Sequence, residues 1–293
     1  MKRFPGNHVE MGLIDQAGAF VEAAFLDSHL GRTGQPPAEI GRAVPVDRDV
    51  LFCDPLFSHY GHFLIESLSR LWAVEELPGL ALAFPINPGG QGCMRPYQKE
   101  ILDILGVKRD IVLVNRPMRF NRVLLPTPGT RMQDIFTARQ ARFLGRQPQV
   151  GDRDARIWIS RRGYPSSQTL GIGVLEDHLE SRGWKIYQPE RDSVSEQLRV
   201  FAGARRIAGE MGSAFHTLVL LEDCSDLRVD IIARHPDHPG RQTMIYKVIA
   251  ATKGLKQTIH VIPSERMRSR EGNVLMKHAG TLEDYCVALE PDL

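Results

Sequence analysis

SVSEQLRVFAGARRIAGEMGSAFHTLVLLED, residues 193–223, contains one full period of an alternating fold. Ser193 stands three residues before Glu196 and ahead of Leu198 and Phe201, the pattern of a capping box opening a helix over 194–204. The β-rich run RRIAG follows, and Gly209, Gly212, Ser213 and Ala214 then mark a tight turn into a second helix from Ser213. Upstream lie strand ARIWIS, a helix over 172–182 and strand WKIYQP; downstream lie LRVDIIA, the helical QTMIYKVIAATKG and QTIHVIP. Short strands alternating with helices predict βαβ units and a parallel sheet, with ligands beyond the carboxyl ends of the strands.

The same alternation runs through residues 20–145: FVEAAFL, DVLFCD, the helical SHYGHFLIESLSRLW, LALAFPI, RPYQKEILDILG, DIVLVN, RFNRVLLPTP and DIFTARQARFLG. Between the halves, RQPQVGDRDA (Arg146 to Ala155) is polar and carries Pro and Gly without periodicity, which predicts a linker. The expected organisation is two α/β domains, 1–150 and 151–293, in keeping with a length of 293 residues.

A 42% apolar, 25% charged composition is that of a globular chain, and a formal net charge of +2 gives no field for non-specific nucleic-acid binding. No window reaches a membrane span and the amino end lacks a signal-peptide core, so the expectation is a cytoplasmic protein. RMRSR, residues 266–270, reads either as a solvated run or as a peripheral contact to the inner face of a membrane, the former being favoured. Cys53, Cys93, Cys224 and Cys286 are widely spaced and predict reduced thiols. Oligomeric state stays open, a homo-oligomer included.

Three stretches carry chemistry. In WISRRG, Ser160, Arg161 and Arg162 follow a strand at once, and arginines there can hold a diphosphate bidentately. In GEMGSAFHT, small residues at a strand-to-helix turn let backbone amides approach an anion at the positive end of a helix. In SHYGHFLIESLSRLW, His62, Glu66 and Arg70 recur every four residues on one helical face, while Leu64, Leu68, Leu71 and Trp72 cover another. His62 can accept a proton and Glu66 can orient it; the plainer alternative is an amphipathic helix with a surface pair between Glu66 and Arg70. His59 with His62 and Glu66, or His235 with His238, lack the further ligands of a zinc site, so no metal is expected.

Taken together, SHYGHFLIESLSRLW, WISRRG and VSEQLRVFAGARRIAGEMGSAFHT resemble glycosyltransferase family 61, in the same order and at similar separations. The resemblance implies a GT-B-like α/β fold, two Rossmann-like domains facing a central cleft, with nucleotide-sugar donor on the carboxyl-terminal domain and glycan acceptor on the amino-terminal one. It implies an inverting, metal-independent transferase without a cofactor. Its catalytic His and acidic residue fall on His62 and Glu66, its arginine motif on Ser160, Arg161 and Arg162, and its donor loop on Gly209 to Thr217, which includes Glu210, Gly212, Ser213, Ala214 and His216. Glu196, opening the helix after WKIYQP, is a further donor-side candidate, with a plain capping role the stronger alternative. Met211 and Thr217 stand where the family loop carries histidine and asparagine, which implies that His216 substitutes, that donor choice differs, or that activity is reduced. Two other functions stay open: a nucleotide-sugar epimerase of the same fold, and a non-catalytic nucleotide- or glycan-binding module.

Overall fold

The computed structural model describes the chain apart from residues 1–10, 25, 29–30, 34–40, 87–91, 133, 147–153, 164–167, 234–238, 263, 269–273, 279–283, 286–288 and 290–293. His235, His238, Cys286 and the end of the RMRSR run therefore lie outside the described residues. The chain divides into two compact units, Met1–Arg146 and Gln147–Leu293, and the division falls at the head of the polar 146–155 stretch.

The first unit is built on four parallel strands: β1 (Val44–Phe52), β2 (Ala81–Pro85), β3 (Ile111–Val114) and β4 (Met118–Leu124), in spatial order β3-β2-β1-β4. The chain steps outward from β1 to β3 and then returns to the far side of β1, so the order reverses between β1 and β4. Crevices at such reversals, at the carboxyl ends of the strands, are where open α/β sheets bind ligands. Burial explains the strand sequences, since Val50 to Phe52 and Ala81 to Phe84 are all buried.

After β1 comes the helical stretch 60–75, which is irregular: one α-turn (Tyr60–His62), a π-turn (Phe63–Ser67) and a 3-10 turn (Leu71–Glu75). Leu68 N–H donates to Phe63 O at 3.2 Å, the wide bond of a π-turn. Carbonyls released by this irregularity are taken up from outside, Leu68 O by Gln140 Nε2 at 2.9 Å and Ser69 O by Gly129 N–H at 2.6 Å. Gly129 fits there only without a side chain, because a Cβ would stand 2.8 Å from Gln140 and 3.0 Å from Trp72. The plainer alternative, an amphipathic helix with a surface pair, is corrected here on two points. Phe63, Leu64, Ile65, Glu66, Leu68, Arg70 and Leu71 are all buried, so no solvent-facing polar stripe runs along the helix. Nor do Glu66 and Arg70 form a surface pair: the change of helical pitch turns Arg70 away to Asp54.

The second unit holds five parallel strands, β5 (Ala155–Ile159), β6 (Lys185–Tyr187), β7 (Ala204–Glu210), β8 (Arg228–Ile232) and β9 (Lys256–His260), in order β6-β5-β7-β8-β9. Here the reversal lies between β5 and β7, and WISRRG and GEMGSAFHT run off the carboxyl ends of these two adjacent strands. Gly209 belongs to β7 rather than to the turn; a Cβ on it would meet Ile159 O at 2.9 Å, so glycine lets β7 close on β5. The helices are α1 (Pro96–Ile104) and α2 (Ala138–Leu144) in the first unit, and α3 (Ile172–Ser181), α4 (Val194–Ala202) and α5 (Pro239–Lys253) in the second. The segment expected to be a helix from Ser213 is one, but of 3-10 type (Ser213–Leu220). A small sheet of Gln168–Thr169, Val274–His278 and Ser264–Arg268 was not expected, and Arg266 to Arg268 lie on one of its strands.

Candidate functional site

In the first unit, β1 ends at Phe52, and Asp54 follows in the loop that leads to His62. The loop is pinned at several points: Gln98 Nε2 donates to Phe57 O at 2.8 Å, Tyr97 Oη to Ser58 O at 3.0 Å, and Ser67 Oγ to Pro55 O at 2.6 Å while accepting from Phe57 N–H at 3.0 Å. On this fixed support His62 Nδ1 is hydrogen-bonded to a Glu66 carboxylate oxygen. Glu66 is 1% exposed and the His62 side chain 19%, so the carboxylate is internal and the imidazole reaches the surface. An ionised Glu66 holds the proton on Nδ1 and leaves Nε2 as an acceptor. The His59 ring lies 4.9 Å from that of His62, and Phe57 packs at 5.7 Å.

Below the dyad lies a charge pair that sequence reasoning missed. Asp54 and Arg70 are fully buried, with Arg70 Nε donating to Asp54 Oδ1 at 3.0 Å. Ser69 Oγ donates to the other carboxylate oxygen, and Arg70 also donates to Pro126 O and, at 3.0 Å, to Ala23 O. Burial pushes the Asp54 carboxyl above its usual range; Arg70 and Ser69 pull against it, and Glu66 adds to the rise. The aspartate ending DVLFCD at the carboxyl end of a strand was the available signal.

In the second unit, WISRRG and GEMGSAFHT meet. Arg161 Nη1 lies 2.9 Å from where a Cβ on Gly212 would stand, so the guanidinium rests on the glycine backbone. Gly212 is extended, with φ −175° and ψ 170°, a conformation open to any residue, and its lack of a side chain serves the close approach of Arg161. Gly212, Ser213 and Ala214 are half-buried while Phe215 to Leu220 are buried, which leaves the amino end of the 3-10 helix as its accessible part. The first amides of a helix have no acceptor within it. A guanidinium and a helix start side by side have the chemistry to hold an anion.

The remaining expected residues have partners of their own. Ser160 is buried; its N–H donates to Tyr187 O at 2.8 Å and its hydroxyl accepts from Arg162 N–H at 3.1 Å. Arg162 itself turns aside to α3, beside Gly173 and 3.5 Å from Asp177, with its side chain 59% exposed. Glu196 is drawn to Arg199 at 2.5 Å, which lowers its pKa, and its backbone N–H is capped by Ser193 at 3.2 Å. Glu210 is buried and accepts from Thr169 Oγ1. Met211 N–H donates to Ile232 O at 2.8 Å and its side chain is buried. His216 is buried against Tyr246, with ring centroids 4.8 Å apart and planes at 14°.

Glu176, Thr169, Tyr246 and Tyr285 were missed. Glu176 is buried and accepts from Trp158 Nε1 at 3.3 Å; burial raises its pKa, hydrogen bonds from Ser160 and Trp158 oppose the rise, and Glu210 adds to it. Burial, with the charge of Glu210, raises Tyr285 strongly. None of the four sits in a motif, and each enters the site only through the tertiary fold. Among the described residues no group of three or more His, Cys, Asp or Glu is arranged to hold a metal ion, and no helix is long and apolar enough to cross a membrane.

The sequence profile described as Glycosyltransferase 61 matches residues 60–227, more than half of the chain, and spans both the His62 dyad and the Arg161 site. No curated protein matches the chain.

Proposed function

The chain belongs to glycosyltransferase family 61, and from that premise we propose that it is an inverting transferase moving a sugar from a nucleoside-diphosphate donor to a glycan acceptor in polysaccharide biosynthesis. On this reading the two units are the acceptor and donor halves of a GT-B-type enzyme. The observation that carries it is the Arg161 guanidinium lying on Gly212 at the strand-order reversal of a parallel sheet, the place where such sheets bind phosphate-bearing ligands.

Transfer makes two demands. The acceptor hydroxyl must lose its proton as its oxygen attacks the anomeric carbon, and the departing diphosphate must be met by positive charge. His62 Nε2 takes the proton, with Glu66 orienting the ring and stabilising the imidazolium that forms. Arg161 and the amides of Gly212, Ser213 and Ala214 receive the charge that develops on the diphosphate as its bond to the sugar breaks. The arginine and the helix start already provide cationic character, so the mechanism uses no divalent ion.

Titration calorimetry with a panel of nucleoside diphosphates tests this. Arg161→Ala is expected to weaken the tightest of them by about 10- to 100-fold, the worth of a charge-assisted hydrogen bond. Arg162→Ala, whose side chain is turned to Asp177, is expected to change it less than about threefold, as for other exposed pairs. Equal affinities in wild type and Arg161→Ala would remove the phosphate assignment.

A further inference from the structure

Helix α5 holds the 3-10 helix of the donor turn at both ends. At the amino end the Tyr246 hydroxyl donates to Gly212 O at 3.2 Å while its ring stacks on His216. At the carboxyl end the half-buried Lys253 amine donates to Val219 O at 3.3 Å and to Leu221 O. Thr217 Oγ1, 3.4 Å from Gln197 Oε1, adds a hold from α4.

The contact at Gly212 matters most. Its carbonyl and the Ser213 N–H belong to one planar trans peptide, so they point in opposite directions. Whatever fixes the carbonyl therefore aims the amide. Phe215 N–H also donates to Gly212 O, at 3.2 Å, but glycine has wide torsional freedom and one local bond at a helix start restrains this peptide weakly. The Tyr246 hydroxyl arrives from a separate helix and bonds that carbonyl, so the Ser213 N–H faces away from Tyr246, on a half-buried turn beside which Arg161 lies.

We infer that Tyr246 is a positioning residue for donor binding: it locks the Gly212–Ser213 peptide in the orientation that presents the Ser213 amide to a diphosphate. This rests on the donor reading above. Nothing in the sequence of QTMIYKVIAATKG marks the tyrosine, which reads there as one residue of an ordinary helix.

The test uses the full-length protein, inorganic pyrophosphate and UDP as calorimetric probes, and wild type, Arg161→Ala and Tyr246→Phe side by side. Phenylalanine keeps the ring on His216 and removes only the hydroxyl. Tyr246→Phe is expected to weaken both probes by about two- to tenfold, the range of one neutral hydrogen bond. In transfer assays it is expected to raise the donor KM by the same factor and leave the acceptor KM unchanged, a split that general loosening would not produce. In wild type, pyrophosphate is expected to slow amide hydrogen exchange at Ser213, and in Tyr246→Phe that protection is reduced. If Arg161→Ala loses binding while Tyr246→Phe matches wild type, the positioning role is wrong and the donor reading stands. If wild type binds neither probe, both fall together. A Tyr246→Phe variant whose donor and acceptor KM rise in parallel also overturns the role.

Discussion

Replacing His62 by alanine is expected to lower single-turnover sugar transfer by about 10²- to 10⁴-fold, the range for removing a positioned general base. The imidazole reaches the surface from a buried carboxylate, on a loop held by Gln98, Tyr97 and Ser67, so its Nε2 has a fixed direction. Glu66→Gln is expected to cost less, about 10-fold or more, because an amide can still bond the ring but no longer stabilises the imidazolium that forms. Both variants should bind nucleoside diphosphate as wild type does, because the groups assigned to the donor lie in the second unit. Denaturant melts matching those of wild type separate a catalytic defect from unfolding of the first unit. Full transfer rates in both variants would move the base elsewhere.

The second large effect is on stability. Asp54→Ala or Arg70→Met alone is expected to destabilise the first unit by about 3–5 kcal/mol, because each leaves a buried charge without its partner. This is a large fraction of the ~5–15 kcal/mol that holds an ordinary domain folded. Burial raises the Asp54 pKa despite the adjacent guanidinium, so the folded state holds that proton more tightly than the unfolded chain does. Its contribution therefore falls as pH rises from the ordinary carboxylate range through the raised value, and the ionised form is retained at a net cost. The double variant Asp54→Leu/Arg70→Met should consequently recover half or more of the loss, short of full recovery because Ser69 and the Pro126 and Ala23 carbonyls lose their partner. Denaturant melts of the three variants check this; singles that cost less than about 1 kcal/mol would place the pair among weak surface bridges.

Much of this architecture was legible in residue order. The strands from ARIWIS to QTIHVIP alternate with helices as their periodicity predicts, and the convergence of WISRRG with GEMGSAFHT follows once β5 and β7 are neighbours. Residue order says less about groups whose roles depend on local pitch or distant elements. Arg70 reads as a member of a polar stripe only for a uniform α-helix; a π-turn followed by a 3-10 turn carries it inward to Asp54. Arg161 and Arg162 are equivalent in the sequence, yet one rests on Gly212 and the other turns to Asp177. Glu196 looks like a ligand or a cap, and in the fold its carboxylate belongs to Arg199. Tyr246 comes to Gly212 from 34 residues away, a distance that no local pattern spans.

In the proposed reading a diphosphate sits on Arg161 and the turn that follows β7. Solving the structure of the protein with the tightest-binding nucleoside diphosphate tests it most directly. Phosphate oxygens are expected within hydrogen-bond reach of the Arg161 guanidinium and of the Ser213 amide, with the Gly212 carbonyl still on Tyr246. A nucleotide seated anywhere else in the second unit, with Arg161 and Ser213 untouched, would contradict it.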